Sequence, residues 1–284
     1  MPPRALTAGN AAGNGDHDMA HSRVGTGRQR LTAGLVFSAM VLAALSQGSA
    51  GAQVAEVTGE ASGYFASLSL FGGPEQTFGP DPEVILPATG GTETATDPSA
   101  EVVIGPATFF SSGPLTVTTE GTTGPTGAVT TTATIQTINT SGDEVFTAAS
   151  ASSTCTATEE GNTGSTTITG GTILNHAQAT DHAEEVIDIP TNPAPGHTVE
   201  GHIHIDGTQD NFRYIFNEQF VDEDGSLTVF AAHMELLGEN AVGDLFIGES
   251  TCGVSTAQAT TTTTAGQTTT TTTVTGLPQA PAAA

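Results

Sequence analysis

The sequence of 284 residues contains no lysine and no tryptophan. Its five Lys and Arg residues are all arginines, four of them lie before residue 31, and 30 Asp and Glu bring the net charge to −25. A surface with so little positive charge repels phosphate backbones and anionic membranes. The composition therefore argues against nucleic-acid binding and leaves cations, cationic partners and neutral glycans as ligands.

Large side chains are also scarce. Only 36% of the residues are hydrophobic, and there are 2 Tyr and 12 Phe. Such a composition can build a thin core from Val, Ile, Leu and Phe, but it lacks the Trp that often forms aromatic sugar-binding platforms. A glycan-binding module remains an alternative that the missing Trp weakens.

Motifs for catalysis are missing too. The chain has no G-x-S-x-G, no H-E-x-x-H and no phosphate-binding loop, and no Ser, His and acid stand at a spacing that selects a catalytic triad. We therefore predict a non-enzymatic protein with no catalytic residue and no cofactor-binding residue.

The N-terminus has the features of a signal peptide. Residues 23–30 are basic, residues 31–45 are an uncharged and mostly apolar run, and Ala50-Gly51-Ala52 matches a cleavage site. The run is shorter than the ~20 residues that span a bilayer, although an uncleaved anchor helix is the alternative. We predict that residues 1–52 are a signal peptide with an N-terminal extension, that the protein is extracellular, secreted or cell-wall associated, and that no transmembrane segment follows cleavage.

Cleavage before Gln53 would leave a very acidic protein. The remaining chain has 28 Asp and Glu and one arginine, Arg213, so its net charge would be about −27. Self-repulsion of this size favours solubility and a monomer.

The body of the chain has a strand pattern. In residues 59–71 the period of a strand places Tyr64, Ala66, Leu68 and Leu70 on one face and Phe65, Ser67, Ser69 and Phe71 on the other. From 101 to 175 short Thr/Val/Ser runs alternate with glycine turns about every ten residues. No stretch has a sustained helical stripe of apolar residues. This pattern predicts an all-β protein with a single antiparallel β-sandwich, jelly-roll or Greek-key-like, over residues 53–257.

Several segments lack that pattern. We predict loops at 72–82, which is rich in Gly and Pro, and at 88–100, which is polar, and at best a surface turn or short helix at 175–189. Residues 258–284 form a Thr-rich tail that we expect to be disordered, either as a plain end or as an O-glycosylated stalk.

The stretch Arg213–Val254 has three strand-like runs separated by two acidic turns, which predicts a β-meander. Within it, Arg213 is expected to pair with a nearby acid such as Glu218 or Asp210. The turn at 222–225 (DEDG) favours a hairpin, because it lacks the spacing of a Ca²⁺-binding loop.

Cys155 and Cys252 are the only two cysteines. In an exported protein an even pair favours a disulfide between distant strands, with buried free thiols or a metal site as alternatives. The closed loop of about a hundred residues would stabilise the fold by about 4 kcal/mol in the chain-entropy model.

Histidines give the sharpest candidate for a metal site. His202 and His204 would share one face of a strand, and His233 in a nearby strand could supply a third ligand for Zn²⁺. The alternative is a solvated polar face that carries two histidines. A metal-binding or metalloenzyme domain built on these residues is thus a second functional hypothesis, with Zn or Ca as the candidate ions.

A recognisable pattern runs through residues 217–219, 226–233 and 243–253, with further matches at 61–70 and 152–157. This pattern resembles that of the choice-of-anchor P family of exported proteins of high-GC Gram-positive bacteria. It implies an extracellular β-rich domain with a Cys–Cys bridge and no established activity. Residues 175–211 depart from the pattern.

The leading functional hypothesis is an exported, non-enzymatic β-sandwich protein of the bacterial cell surface or medium. Its role would be structural or interactive, with a cell-envelope component or a glycan as partner.

Overall fold

The computed structural model describes residues 53–274 except 106, 141–143, 176–184, 206–207 and 265–266. The predicted signal peptide, residues 1–52, and residues 275–284 lie outside this part. All regular structure in it is β-strand. The strands are β1 (Gln53–Leu70), β2 (Gln76–Ile85), β3 (Gly90–Asp97), β4 (Ala100–Ile104), β5 (Ala107–Ser112), β6 (Leu115–Thr122), β7 (Ala128–Thr140), β8 (Glu144–Thr158), β9 (Gly161–Thr169), β10 (Thr172–Asn175), β11 (Glu185–Asp188), β12 (His197–Ile205), β13 (Thr208–Val221), β14 (Leu227–Leu237), β15 (Ala241–Thr264) and β16 (Gln267–Val274).

Two antiparallel sheets form the molecule. The first sheet has the order β12-β13-β14-β15-β1-β2, and β16 pairs with β15. The second sheet has the order β11-β10-β8-β7-β5-β4, with β6 between β7 and β3, and with β9 on β8. The predicted antiparallel β-sandwich is confirmed, and so is the meander, because β13, β14 and β15 are consecutive neighbours. Among the described residues no helix is long and apolar enough to cross a membrane.

Apolar side chains from the inner faces of both sheets make the main core. In β1 the predicted alternation holds, since Tyr64, Ala66 and Leu68 are all buried. Between the sheets, the ring of Phe146 from β8 lies 5.6 Å from Tyr214 and 5.2 Å from Phe216, both on β13. The core is thus built from alternating medium-sized side chains with one group of aromatic rings at its centre.

Cys155 and Cys252 join the two sheets. Cys155 lies on β8 and Cys252 on β15, their sulfur atoms are at disulfide distance, and their Cα atoms are 5.6 Å apart. Both are fully buried in a second, smaller apolar cluster. The expectation that the two cysteines pair between distant strands is therefore confirmed.

Three segments without a strand pattern nevertheless form strands. Strand β2 occupies much of the predicted loop at 72–82, β3 lies in the predicted loop at 88–100, and β11 lies in the segment 175–189, for which a turn or helix was expected. The first two predictions are wrong. The third is wrong for residues 185–188, while residues 176–184 lie outside the described part of the chain. Each of these strands lies at a sheet edge, where proline and a polar sequence are tolerated because one side of the strand needs no partner.

The Thr-rich tail also differs from expectation. Its backbone at 258–264 continues β15 and pairs with β16 at 267–274, so a hairpin stands where the sequence predicts disorder. Threonine is a strong strand former, and two threonine blocks around a short turn can pair with each other.

Hydroxyl groups line the outer face of the second sheet. One row of aligned residues crosses β3, β6, β7, β8 and β9, namely Thr96, Thr116, Thr134, Ser152 and Thr167. The next row is Thr94, Thr118, Thr132, Thr154 and Ser165. Hydrogen bonds link neighbours in these rows, as between the hydroxyls of Thr134 and Ser152 at 2.9 Å. Neither row contains a charged residue.

Candidate functional site

The outer face of the first sheet carries a cluster of histidine, acidic and aromatic side chains. His233 on β14 is at its centre, opposite Ile215 of β13 on one side and Phe246 of β15 on the other. Paired residues in a sheet project to the same face, so side chains from three strands of the meander converge here.

A break in the alternation of inward and outward residues creates this cluster. At one level of the first sheet, one residue on each of four strands is left out of the paired ladder. These residues are Gly63 on β1, Gly248 on β15, Ala231 on β14 and Asn217 on β13. Asn217 and Gly248 have positive φ values of 52° and 66°. On β1 the buried residues are Val57 and Ala61 before the break, and Tyr64 and Ala66 after it.

This break in the alternation places Glu218 on the outer face. Without the break, Glu218 would follow the alternation of Phe212, Tyr214 and Phe216 and point into the core. With it, Glu218 lies beside His233, and Phe230 lies beside both.

His233 is held by two carboxylates. Its Nδ1 lies 2.6 Å from Oε2 of Glu218 and its Nε2 lies 3.1 Å from Oδ1 of Asp244, while its side chain is only 7% exposed. Burial lowers the pKa of His233, but the hydrogen bonds and charges of Glu218 and Asp244 outweigh burial and raise the pKa above its usual value. The protonated ring is thus favoured, as a bridge between two acids.

Phenylalanines surround this histidine. The ring of Phe246 stacks on His233 with centroids 4.1 Å apart and planes at 21°. Phe230 lies 4.7 Å from Phe246, Phe65 lies 6.3 Å from Phe246, and Phe220 lies 6.1 Å from Phe230. We call Phe65, Phe220, Phe230 and Phe246 the aromatic stripe. Phe220 is 46% exposed, so the stripe is accessible to solvent at this end.

Acidic side chains without a cationic partner lie near the stripe. The pKa of Glu249 is raised, first by burial and then by the charges of Glu60, Glu83 and Asp222, although a hydrogen bond from Ser62 opposes this. The pKa of Glu60 is raised by burial and by Glu83. Carboxylates that raise one another's pKa attract cations.

Arg213 forms an ion pair, but with a different acid from those predicted. It lies opposite Glu235 in the β13–β14 ladder, and its Nε donates to Oε2 of Glu235. Asp210 is buried instead, where its carboxylate accepts from the backbone N–H groups of residues 239, 240 and 241. Glu218 is engaged by His233. The prediction of Glu218 or Asp210 as partner is therefore wrong, because the register and the alternation direct those two side chains elsewhere.

The structure separates the predicted histidine ligands. His202 on β12 is aligned with Asn211 of β13, and its Nδ1 lies 2.6 Å from Oδ1 of that residue. His233 is aligned with Ile215, four residues farther along β13, which corresponds to about 13 Å along the strand. His204 lies on β12 opposite Gln209, and its side chain is outside the described part of the chain. His202 instead lines a cleft of about 330 Å³ with Glu200, Gly201, Asn211, Phe212 and Leu237.

The acidic turn at 222–225 is a hairpin turn, as expected. Oδ1 of Asp224 accepts from the backbone N–H of Ser226 at 2.9 Å, and Oδ2 of Asp222 accepts from Oγ1 of Thr228 at 3.0 Å. These carboxylates serve the turn itself.

In the described part of the chain, one other arrangement could hold a metal ion. His233, Glu235 and Asp244 each offer one ligand atom, and these atoms lie within 4.8 Å of one another. Sequence reasoning selected His233 but missed the other two. The signal was available for Glu235, since it follows His233 by two residues and so shares its face of the strand. Asp244 required the strand register.

No family model matches this sequence, and neither curated proteins nor solved structures give a significant match.

Proposed function

We propose that this chain is an exported, non-enzymatic binding protein of the bacterial cell surface or medium, and that the outer face of its first sheet is the recognition surface. The observation that carries the proposal is the aromatic stripe beside unneutralised acids. Soluble sheets usually present polar residues to solvent, whereas here four phenylalanine rings follow one another on an outer face, each with its centroid 4.7 to 6.3 Å from the next.

Export is supported by two features. The N-terminal sequence has the charge pattern and length of a signal peptide, and the cysteine pair suits an oxidising compartment. The resemblance to the choice-of-anchor P family points to the same location.

The chemistry of this face indicates the type of partner. Rings supply apolar contact area, and Glu60, Glu83 and Glu249 supply negative charge at the side of the stripe. A partner with a cationic group next to an apolar or aromatic surface would complement both features. Amine-bearing components of a bacterial cell envelope have this character.

A binding assay with envelope fractions tests the proposal. Labelled full-length protein would be titrated onto isolated cell walls and membrane vesicles, and the exposed ring removed with Phe220→Ser. We expect saturable binding to one fraction that weakens at least tenfold in this variant. Val186→Ser is the matched control, because Val186 is 62% exposed but lies on β11 of the other sheet. Absence of saturable binding, or equal loss in both variants, would contradict the proposal.

The aromatic stripe also favours a second candidate, binding of a neutral glycan. Stacking of sugar rings on aromatic side chains beside carboxylate acceptors is a common arrangement in sugar sites, and the stripe provides both despite the absence of Trp. A glycan array tests the second candidate. The response to salt separates the two, because salt should weaken binding to a cationic partner and leave binding to a neutral glycan unchanged.

A further inference from the structure

We propose that His233, Glu235 and Asp244 form a binding site for a divalent transition-metal ion of the Zn²⁺ type, with Glu218 as the residue that orients the histidine. The site replaces the one expected from His202 and His204. It does not depend on the partner proposed above, since it can be tested with purified protein and metal alone.

The three ligand positions follow from strand geometry. His233 and Glu235 are two residues apart on β14 and therefore share the outer face. Asp244 of β15 is directly opposite Glu235 in the ladder. Their candidate ligand atoms lie within 4.8 Å of one another, which a single ion can span with small side-chain rotations.

Glu218 prepares the histidine for this role. Its Oε2 lies 2.6 Å from Nδ1, so Glu218 can keep a proton on Nδ1 while Nε2, which points to Asp244, gives up its proton to bind a metal. Histidines that bind metals usually donate their other ring N–H to a carboxylate or carbonyl in this way. Stacking on Phe246 fixes the ring plane as well. The row of skipped residues that turns Glu218 outward therefore serves the site directly.

The ligand types select the ion. One imidazole nitrogen and two carboxylate oxygens suit Zn²⁺ and similar ions, whereas Ca²⁺ prefers a shell of oxygen atoms. The Asp244 side chain is 45% exposed, so an ion can enter from solvent and water can complete its coordination.

The local charge also favours a divalent cation. Three carboxylates, those of Glu218, Glu235 and Asp244, face one guanidinium, that of Arg213, and one imidazole. With neutral His233 the group has a net charge of −2, which a divalent ion neutralises. A proton shared between His233 and Asp244 is the competing occupant, and binding of the metal releases it.

Calorimetry with full-length protein tests this site. Metal-stripped protein would be titrated with ZnCl₂ in two buffers of different ionisation enthalpy. We expect one ion per chain with release of a proton. Asp244→Asn and His233→Ala should each weaken binding at least tenfold, and Glu218→Gln by roughly 10- to 100-fold, the usual effect of losing an orienting partner. His202→Ala, a histidine on the same face but outside the site, should bind like the wild type.

Each result decides the proposal. Two results together support it. His202→Ala binds Zn²⁺ like the wild type, and Asp244→Asn binds it at least tenfold more weakly. No Zn²⁺ binding by the wild type, or unchanged affinity in Asp244→Asn, overturns it. The Asp244 side chain is 45% exposed, so this variant should fold and gives an answer even if His233→Ala does not fold. Circular dichroism of each variant verifies the fold.

Discussion

Oε2 of Glu218 lies 2.6 Å from Nδ1 of His233, so a carboxylate on β13 fixes the orientation of a nearly buried ring on β14. Removing the carboxylate with Glu218→Ala should leave a buried N–H without an acceptor. We expect a loss of about 1–3 kcal/mol in the free energy of unfolding, measured with urea. Glu218→Gln should lose less, because its amide oxygen can still accept. A change below about 0.5 kcal/mol in Glu218→Ala would show that this contact does not stabilise the fold.

Lowering the pH should stabilise the folded protein because it protonates the carboxyl group of Glu249. Its pKa is raised by burial and by neighbouring acids, so the folded protein favours the protonated carboxyl. That contribution is fully present below the ordinary value of 4.5 and is lost as the pH rises through the folded-state pKa. Glu249→Gln, which cannot ionise, should therefore be more stable than the wild type at pH 7.

The gain should depend on pH in a defined way. It should shrink as the pH falls and vanish below about 4.5, in thermal unfolding measured at several pH values. Glu93→Gln, at an exposed site on β3, should show no such trend. A constant gain for Glu249→Gln at every pH would contradict the role of ionisation.

Gly248 should resist substitution. Its φ of 66° lies in the left-handed region, which costs other residues about 1–2 kcal/mol, and a Cβ there would lie 3.0 Å from Cδ1 of Ile135. Gly248→Ala should therefore destabilise by at least that amount. Gly196→Ala is the matched control, with a φ of 71° but open space around it, and should cost less. Equal costs would mean that only backbone strain matters at Gly248.

The cysteine pair should stabilise strongly because it closes a long loop. Its sequence separation of 97 residues corresponds to roughly 4–5 kcal/mol in the chain-entropy model. We expect the double variant Cys155→Ala, Cys252→Ala to lose stability of this order in urea unfolding. The folded wild type should not react with thiol reagents unless it is first reduced and unfolded. A free thiol in the folded protein would contradict the pairing.

Replacing Arg213 should change the affinity of the proposed site for Zn²⁺. The guanidinium competes with an ion for Glu235 and adds a repulsive charge. Arg213→Leu should therefore bind Zn²⁺ more tightly, by roughly two- to fivefold, which is the effect of losing one screened charge pair. Weaker binding in this variant would show that Arg213 helps to build the site.

Sequence patterns predicted the centre of each sheet better than its edges. Tyr64, Ala66 and Leu68 occupy alternate positions of β1 and are all buried, and this period of two is visible in the sequence. Pro80 and Pro82 hid β2, because proline argues against a strand unless it lies at an edge. In β3 no residue is buried, so no alternation of buried and exposed positions marks it. Edge position depends on which strands pair, and that is not a local property.

The site was harder still to predict. His233 stood out as a histidine in a strand, but its partner Glu218 has the wrong parity for the outer face until Asn217 adopts its positive φ. Asn is one of the few non-glycine residues that enter this region readily, yet the sequence alone does not say which Asn does. The alternation of inward and outward residues shifts at the same level in three neighbouring strands. This shift depends on how the whole sheet is paired and cannot be seen in the sequence of one strand.

The hydroxyl rows on the second sheet give the protein two faces that respond to different solution variables. A hydroxyl donates or accepts by rotation, so each row can reverse its hydrogen bonds without moving an atom of the backbone. Such rows carry no charge that would attract counterions, whereas the acids around Glu249 do. Ionic strength should therefore act on the first sheet, and water activity, through osmolytes or drying, on the second.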